Sequence, residues 1–163
     1  AYIALGSNLG DSAALLGSAL AAMDDISETR VEAVSPVYRS TAVGPGQQPD
    51  YLSMVARLET GLAATALLEL LQGIELDHGR ERGTRWAARS LDLDILLYGD
   101  LVMQTAALTL PHPRLAERNF VLYPLYDLAP DMVLPCGTAL SALVEDCPGA
   151  GLEAAGVDIE PGR

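Results

Sequence analysis

The chain opens on a short apolar run, Tyr2-Ile3-Ala4-Leu5, that stops at Gly6-Ser7-Asn8 and reads as a strand. Asp11 or Ser12 can cap the helix that follows, with Leu15, Ala19, Leu20 and Met23 as its buried stripe. A second strand is expected from about Arg30 to Tyr38, with Pro36 marking an edge or a bulge because proline cannot donate to a ladder. Gly44 to Asp50 reads as loop. From Tyr51 to Thr60 the alternation assigns faces: Leu52, Met54, Ala56 and Leu58 to the core, Tyr51, Ser53, Val55 and Arg57 to the opposite side. A second helix is expected from Ala64 to His78, where Leu67, Leu71, Ile74 and His78 recur at helical spacing and Gly79 stands at a C-terminal cap position. Gln72 and Glu75 share another side of it, and His78 suits the helix dipole or the core edge.

Leu91, Leu93, Ile95 and Leu97 then alternate with Asp92, Asp94, Leu96 and Tyr98, so a further strand carries both carboxylates on one face. The resulting order, βαββαβ, predicts an α+β ferredoxin-like sandwich with helices on one sheet face and the other face open. A C-terminal extension should add a short strand, a turn at Pro111-His112-Pro113, a helix near Asn119 to Leu128 and another near Ala139 to Glu145. The stretch 148–163 is expected to be a loose tail.

With 163 residues, half of them hydrophobic, one domain can bury its own core. No apolar run approaches the ~18 residues of a membrane span, and no basic-then-apolar leader opens the chain, which predicts a soluble, cytoplasmic protein. Cys136 and Cys147 lack CxxC spacing and a nearby histidine, so they read as ordinary thiols of a reducing compartment. The net charge of −12 disfavours nucleic acid and anionic membrane as partners. There is no lysine, and four of the ten arginines, Arg80, Arg82, Arg85 and Arg89, fall within ten positions.

Asp92-Leu93-Asp94 is the sharpest chemical feature. Two carboxylates side by side on a strand repel, and a partly buried unpaired charge costs several kcal/mol, so a cation is expected to join them. Hard oxygen donors at that spacing suit Mg2+; an exposed pair answered by nearby arginines is the alternative. The arginine run likewise reads either as a solvated surface or as guanidinium forks for phosphate oxygens. Neither a Walker A motif nor a GxGxxG follows the first strand, so a nucleotide would be held another way. Tyr51, Trp86 and Phe120 are candidates for stacking on a flat ligand, and His112 for a phosphate or nucleotide contact.

Four ordered segments carry a resemblance: Ala4-Leu5-Gly6-Ser7-Asn8-Leu9-Gly10; Gly44 to Leu52 with Gln48-Pro49-Asp50-Tyr51; Arg80 to Leu96 with Arg89-Ser90-Leu91-Asp92-Leu93-Asp94-Ile95; and Leu110-Pro111-His112-Pro113 leading to Arg118 and Phe120. To about Pro130 the chain resembles the 6-hydroxymethyl-7,8-dihydropterin pyrophosphokinases. The resemblance implies one domain over 1–163 that moves pyrophosphate from ATP to the pterin and releases AMP. It implies two Mg2+ ions on Asp92 and Asp94, with Arg80 and Arg89 on the transferring phosphates. Gln72, Glu75, Arg82, Arg85, Trp86, Ile95, Thr109, His112 and Arg118 would line the nucleotide side. Tyr51 and Phe120 would sandwich the pterin, with Gly6, Ser40, Val43 and Ser53 beside it. Two places depart from the family's pattern: Ser53 stands where it usually has Asn, and Thr41-Ala42-Val43 replaces a more proline-rich stretch. Rival readings are another Asp-x-Asp Mg2+-dependent nucleotide transferase and a non-catalytic ferredoxin-like module, either a small-molecule sensor or an RNA-binding domain.

Overall fold

The computed structural model describes residues 1–8, 12–40, 51–78, 91–157 and 159. In chain order the elements are β1 (Tyr2–Ser7), α1 (Ser12–Asp24), β2 (Thr29–Val34), β3 (Tyr38–Ser40), β4 (Tyr51–Thr60), α2 (Ala64–Asp77), β5 (Asp92–Leu97), β6 (Met103–Gln104), β7 (Thr109–Leu110), α3 (Asn119–Leu128), α4 (Leu140–Glu145) and β8 (Leu152–Ala154). The main sheet runs β5-β1-β4-β3-β8, with β2 also on β4 and every pairing antiparallel. Architecturally this is a mixed α/β protein built on an antiparallel sheet. Among the described residues no helix is long and apolar enough to cross a membrane.

β4 is the organising strand because it is long enough to be paired along both edges. One edge meets β1; along the other lie β2 and β3 in succession. The strand expected over 30–38 is therefore broken, and the break falls at Ser35-Pro36, where proline removes a donor. Ser35 bridges it: its N–H donates to the Val55 carbonyl at 2.8 Å, and its Oγ accepts the Val55 N–H at 2.9 Å. A side-chain oxygen thus does the work of a missing ladder carbonyl.

One face of the sheet packs on α1 and α2 through Ile3, Leu5, Leu16, Leu20, Met54, Leu67, Leu71 and Leu93. The α1 stripe is centred on Leu16, which is fully buried, with Leu15 only partly so; the residue one position on continues the 16, 20, 23 spacing toward the sheet. His78 is held rather than free, its ring nitrogens 2.7 Å from Ser18 Oγ on α1 and 2.8 Å from the Ile74 carbonyl.

The opposite face is not open as the strand order suggests. α3 and α4 cover its outer half, burying Val121, Leu122, Leu125 and Leu140 against Val55, Leu96 and Leu97. The apolar identity of Val55, on the face assigned to polar groups, is explained by that second layer. The extension holds two short strands rather than one, since β6 and β7 pair as a separate hairpin. The expected loose tail also proves ordered in part: β8 pairs with β3, and Ile159 is 9% exposed within the first core.

Ser35→Ala would orphan the Val55 N–H in a buried setting, a loss of about 1–3 kcal/mol. Urea unfolding should show a lowered midpoint at unchanged slope; an unchanged midpoint would mean the Ser35 bridge carries no stability.

Candidate functional site

Sheet register gathers the site. Gly6 on β1 stands opposite Ser53 on β4 and Asp92 on β5, and Ala4 stands opposite Val55 and Asp94. Asp92, Gly6 and Ser53 therefore form one row across three strands, on the face that α3 leaves uncovered at this end. The row floors a cavity of about 370 Å3, also lined by Ser40, Tyr51, Asp94, Arg118 and Phe120. Small residues at 4 and 6 keep its floor low. Phe120 and Arg118 arrive from the start of α3, so the helix that closes the second core also supplies the cavity's wall.

Tyr51 leans across the row. A Cβ at Gly6 would sit within 2.6 Å of the Tyr51 ring carbon Cζ, so only glycine permits this approach. The Tyr51 hydroxyl donates to Asp92 Oδ2 at 3.1 Å. Burial, and after it the charges of Asp92 and Asp94, hold the phenol well above its ordinary pKa. The Tyr51 and Phe120 rings meet edge-on, 6.2 Å apart at 64°, and the Arg118 guanidinium lies 5.7 Å over the Phe120 ring. The Ser53 side-chain oxygen is buried in this wall without a hydrogen-bond partner.

A second cavity, of about 320 Å3, lies on the other side of β5 and is lined by Gln72 and Glu75 of α2, Ile95, Thr109 and His112 among others. Glu75 is 6% exposed, and its carboxylate accepts the Leu93 N–H at 3.0 Å, which ties α2 to β5. His112 Nδ1 accepts the Arg114 N–H at 3.1 Å, leaving Nε2 to carry the proton of the neutral ring. Burial lowers the His112 pKa, against the opposing pull of Asp94. Asp94 lines both cavities, so the carboxylate pair stands at their common edge.

Of the residues named from sequence, Asp92, Asp94, Tyr51, Phe120, Gly6, Ser40 and Ser53 come together in the first cavity, and Gln72, Glu75, Ile95, Thr109 and His112 in the second. Arg118, expected on the nucleotide side, lines the first cavity, because it immediately precedes the helix turn that presents Phe120. Arg80, Arg82, Arg85, Trp86, Arg89 and Val43 lie outside the described residues. Sequence reasoning missed Thr105 to Leu108, the turn between β6 and β7, which walls the second cavity. Threonine and alanine there carry no chemical signature; only the hairpin's packing beside β5 brings them in.

Among the described residues no three acidic, histidine or cysteine side chains cluster as a self-sufficient metal cage. Two adjacent carboxylates at a cavity edge do fit Mg2+, which takes one or two and completes its octahedron with water and phosphate oxygens.

An aromatic cavity and a polar cavity thus meet at an acidic edge, the arrangement of a protein that can hold two small ligands side by side. Residues 2–130 match the family model described as 7,8-dihydro-6-hydroxymethylpterin-pyrophosphokinase. The 2-amino-4-hydroxy-6-hydroxymethyldihydropteridine pyrophosphokinase of Pseudomonas aeruginosa is 49% identical over 152 residues, covering 93% of this chain and 94% of that protein. Its namesake from Haemophilus influenzae is 46% identical over 145 residues, covering 89% and 91%. The chain belongs to the 7,8-dihydro-6-hydroxymethylpterin-pyrophosphokinase family. A solved HPPK-DHPS in complex with substrates shares the fold, with a TM-score of 0.71 at 11% identity over 90% of this chain. This chain spans 42% of that one.

Because the Ser53 hydroxyl is buried and unpartnered, Ser53→Ala should leave the ligand-free protein as stable or up to about 1 kcal/mol more so. Denaturant midpoints of the two proteins decide this, and a clear loss of stability would mean the hydroxyl has a partner in solution.

Proposed function

We propose that this chain transfers the pyrophosphoryl group of ATP to the hydroxymethyl arm of 6-hydroxymethyl-7,8-dihydropterin and releases AMP, a step of folate biosynthesis. The observation that carries the reading is the position of Asp94 on the wall shared by the two cavities. A group leaving one ligand for another must pass that edge. The aromatic cavity takes the flat pterin, with Tyr51 and Phe120 for its faces, Gly6, Ser40 and Val43 beside it, and the Ser53 hydroxyl for a ring heteroatom. The polar cavity takes the nucleotide, with Gln72, Glu75, Ile95, Thr109 and His112 around it and Arg82, Arg85 and Trp86 supplied by the segment before β5.

Asp92 and Asp94 would hold Mg2+, two ions by family resemblance, and Mg2+ when bound neutralises the phosphate oxygens. The chain's own contribution to the step is positioning: the register of β1, β4 and β5 aims the pterin arm at the phosphate chain. Arg80 and Arg89 are assigned to the charge that moves between phosphates, a role that fits planar guanidinium. Arg118, over Phe120, adds positive charge at the pterin end. In a chain of net charge −12, such local cations are what make a polyanionic substrate acceptable. We read the scaffold as ferredoxin-like, since β5-β1-β4-β2 reproduces the antiparallel order of a split βαβ pair.

The direct test is incubation with Mg-ATP and the hydroxymethyl dihydropterin. AMP should appear in step with pterin diphosphate; ADP as the nucleotide product would refute pyrophosphoryl transfer. Asp94→Asn removes charge at nearly constant shape and should lower turnover by about 10³-fold or more, on the scale of removing one preorganised electrostatic group, with an unchanged melting temperature. Activity close to the parent's at saturating Mg2+ would end the assignment of Asp94.

A further inference from the structure

Tyr51 occupies room that a flat ring between it and Phe120 would need. A planar ligand stacked on both faces requires roughly parallel rings about 7 Å apart, twice the ~3.5 Å contact distance of carbon atoms. Here the centroids are 6.2 Å apart and the planes at 64°, so the slot is closed. The ring rests over Gly6, and its hydroxyl donates to Asp92 Oδ2 at 3.1 Å. The distal end of the ring, hydroxyl included, lies over Gly6 on the cavity floor, so clearing the slot means swinging the ring about χ1, which carries the hydroxyl away from Asp92; a turn about χ2 alone leaves the oxygen in place, because it lies on that axis. A partly buried carboxylate then loses a donor, and losing a hydrogen bond to a charged group is expensive. Whatever else supplies positive charge to Asp92 makes that turn cheaper.

We propose that Tyr51 is a latch coupling the carboxylate pair to the aromatic slot: a divalent cation at Asp92 and Asp94 replaces the bond from the Tyr51 hydroxyl and frees the ring to stack on the pterin. The inference rests on the substrate reading given above, and it assigns Tyr51 a positioning role beyond that of an aromatic wall. The coupling is reciprocal by linkage: cation strengthens pterin binding and pterin strengthens cation binding by one and the same factor.

Phenylalanine at this position keeps the stacking face and deletes the latch. With a non-hydrolysable ATP analogue present, pterin affinity is measured by ligand fluorescence in Mg2+ and in EDTA. In the parent protein Mg2+ should tighten pterin binding about tenfold, the low end of a hydrogen bond to a charged acceptor. In Tyr51→Phe the ratio should fall to near one, with the EDTA affinity rising toward the parent's value in Mg2+. An equal ratio in both proteins overturns the latch. A second measurement needs no folded variant: in 13C-tyrosine-labelled parent protein, Mg2+ without pterin should shift the Tyr51 ring resonance, and an unmoved resonance also overturns it. Should Mg2+ move that resonance while pterin binds neither protein under any condition, the latch stands and the assignment of the substrate fails.

Discussion

Gly6 stands between Ser53 and Asp92, and that register decides where each chemical group of the first cavity lies. Side chains alternate across a strand, so a slip of one residue between β1 and either neighbour would send a carboxylate or Ser53 to the helix-packed face. The register is held from below, where Ile3 and Leu5 of β1, Met54 of β4 and Leu93 and Ile95 of β5 are buried against α1 and α2. Apolar residues on one face thus set the positions of polar residues on the other. Each of these buried side chains contributes about 1.5–3 kcal/mol in transfer terms, ample to resist a slip.

The upper face is divided between structure and chemistry. α3 and α4 bury Val55 and Leu96 at one end, and the cover stops at Phe120, where the cavity begins. β5 bears the same division within six residues: Asp92 and Asp94 face the cavities while Leu96, next in that row, enters the second core. Carboxylates placed at the edge of a layer keep access to water and ligand yet have a low-dielectric wall behind them, which strengthens whatever cation they meet.

Local rules are broken beside the two cavities. Ser53 buries a hydroxyl with no partner, Glu75 buries a carboxylate, and Tyr51 presses on a position where any Cβ would collide. The unpartnered Ser53 hydroxyl lowers stability relative to an apolar replacement, and all three side chains line one of the two cavities. Violations of this kind concentrate where a ligand completes what the fold leaves incomplete.

Periodicity along the chain was enough to find β1, β4, α2 and β5, to put Asp92 and Asp94 on one face and to choose the core face of β4, because these follow from the geometry of a single strand or helix. The motif segments, likewise local in sequence, led to the family. What tertiary structure alone decided were matters of pairing. The interruption at Ser35-Pro36 depended on Val55 finding a substitute acceptor, the covering of the second face on α3 returning across the sheet, the ordering of Leu152–Ala154 on a free edge of β3, and the walling of the second cavity on the Thr105–Leu108 turn. Apart from Pro36, which marks the interruption, none of these has a signature in the residues themselves, since an alanine in a turn or a short run in a Gly-rich tail reads alike whether or not a distant edge receives it. The edge-on placement of Tyr51 against Phe120, and its hydroxyl on Asp92, belong to the same class: residues 51, 92 and 120 are brought together by strand register and helix packing, and no spacing along the chain records the distance between them.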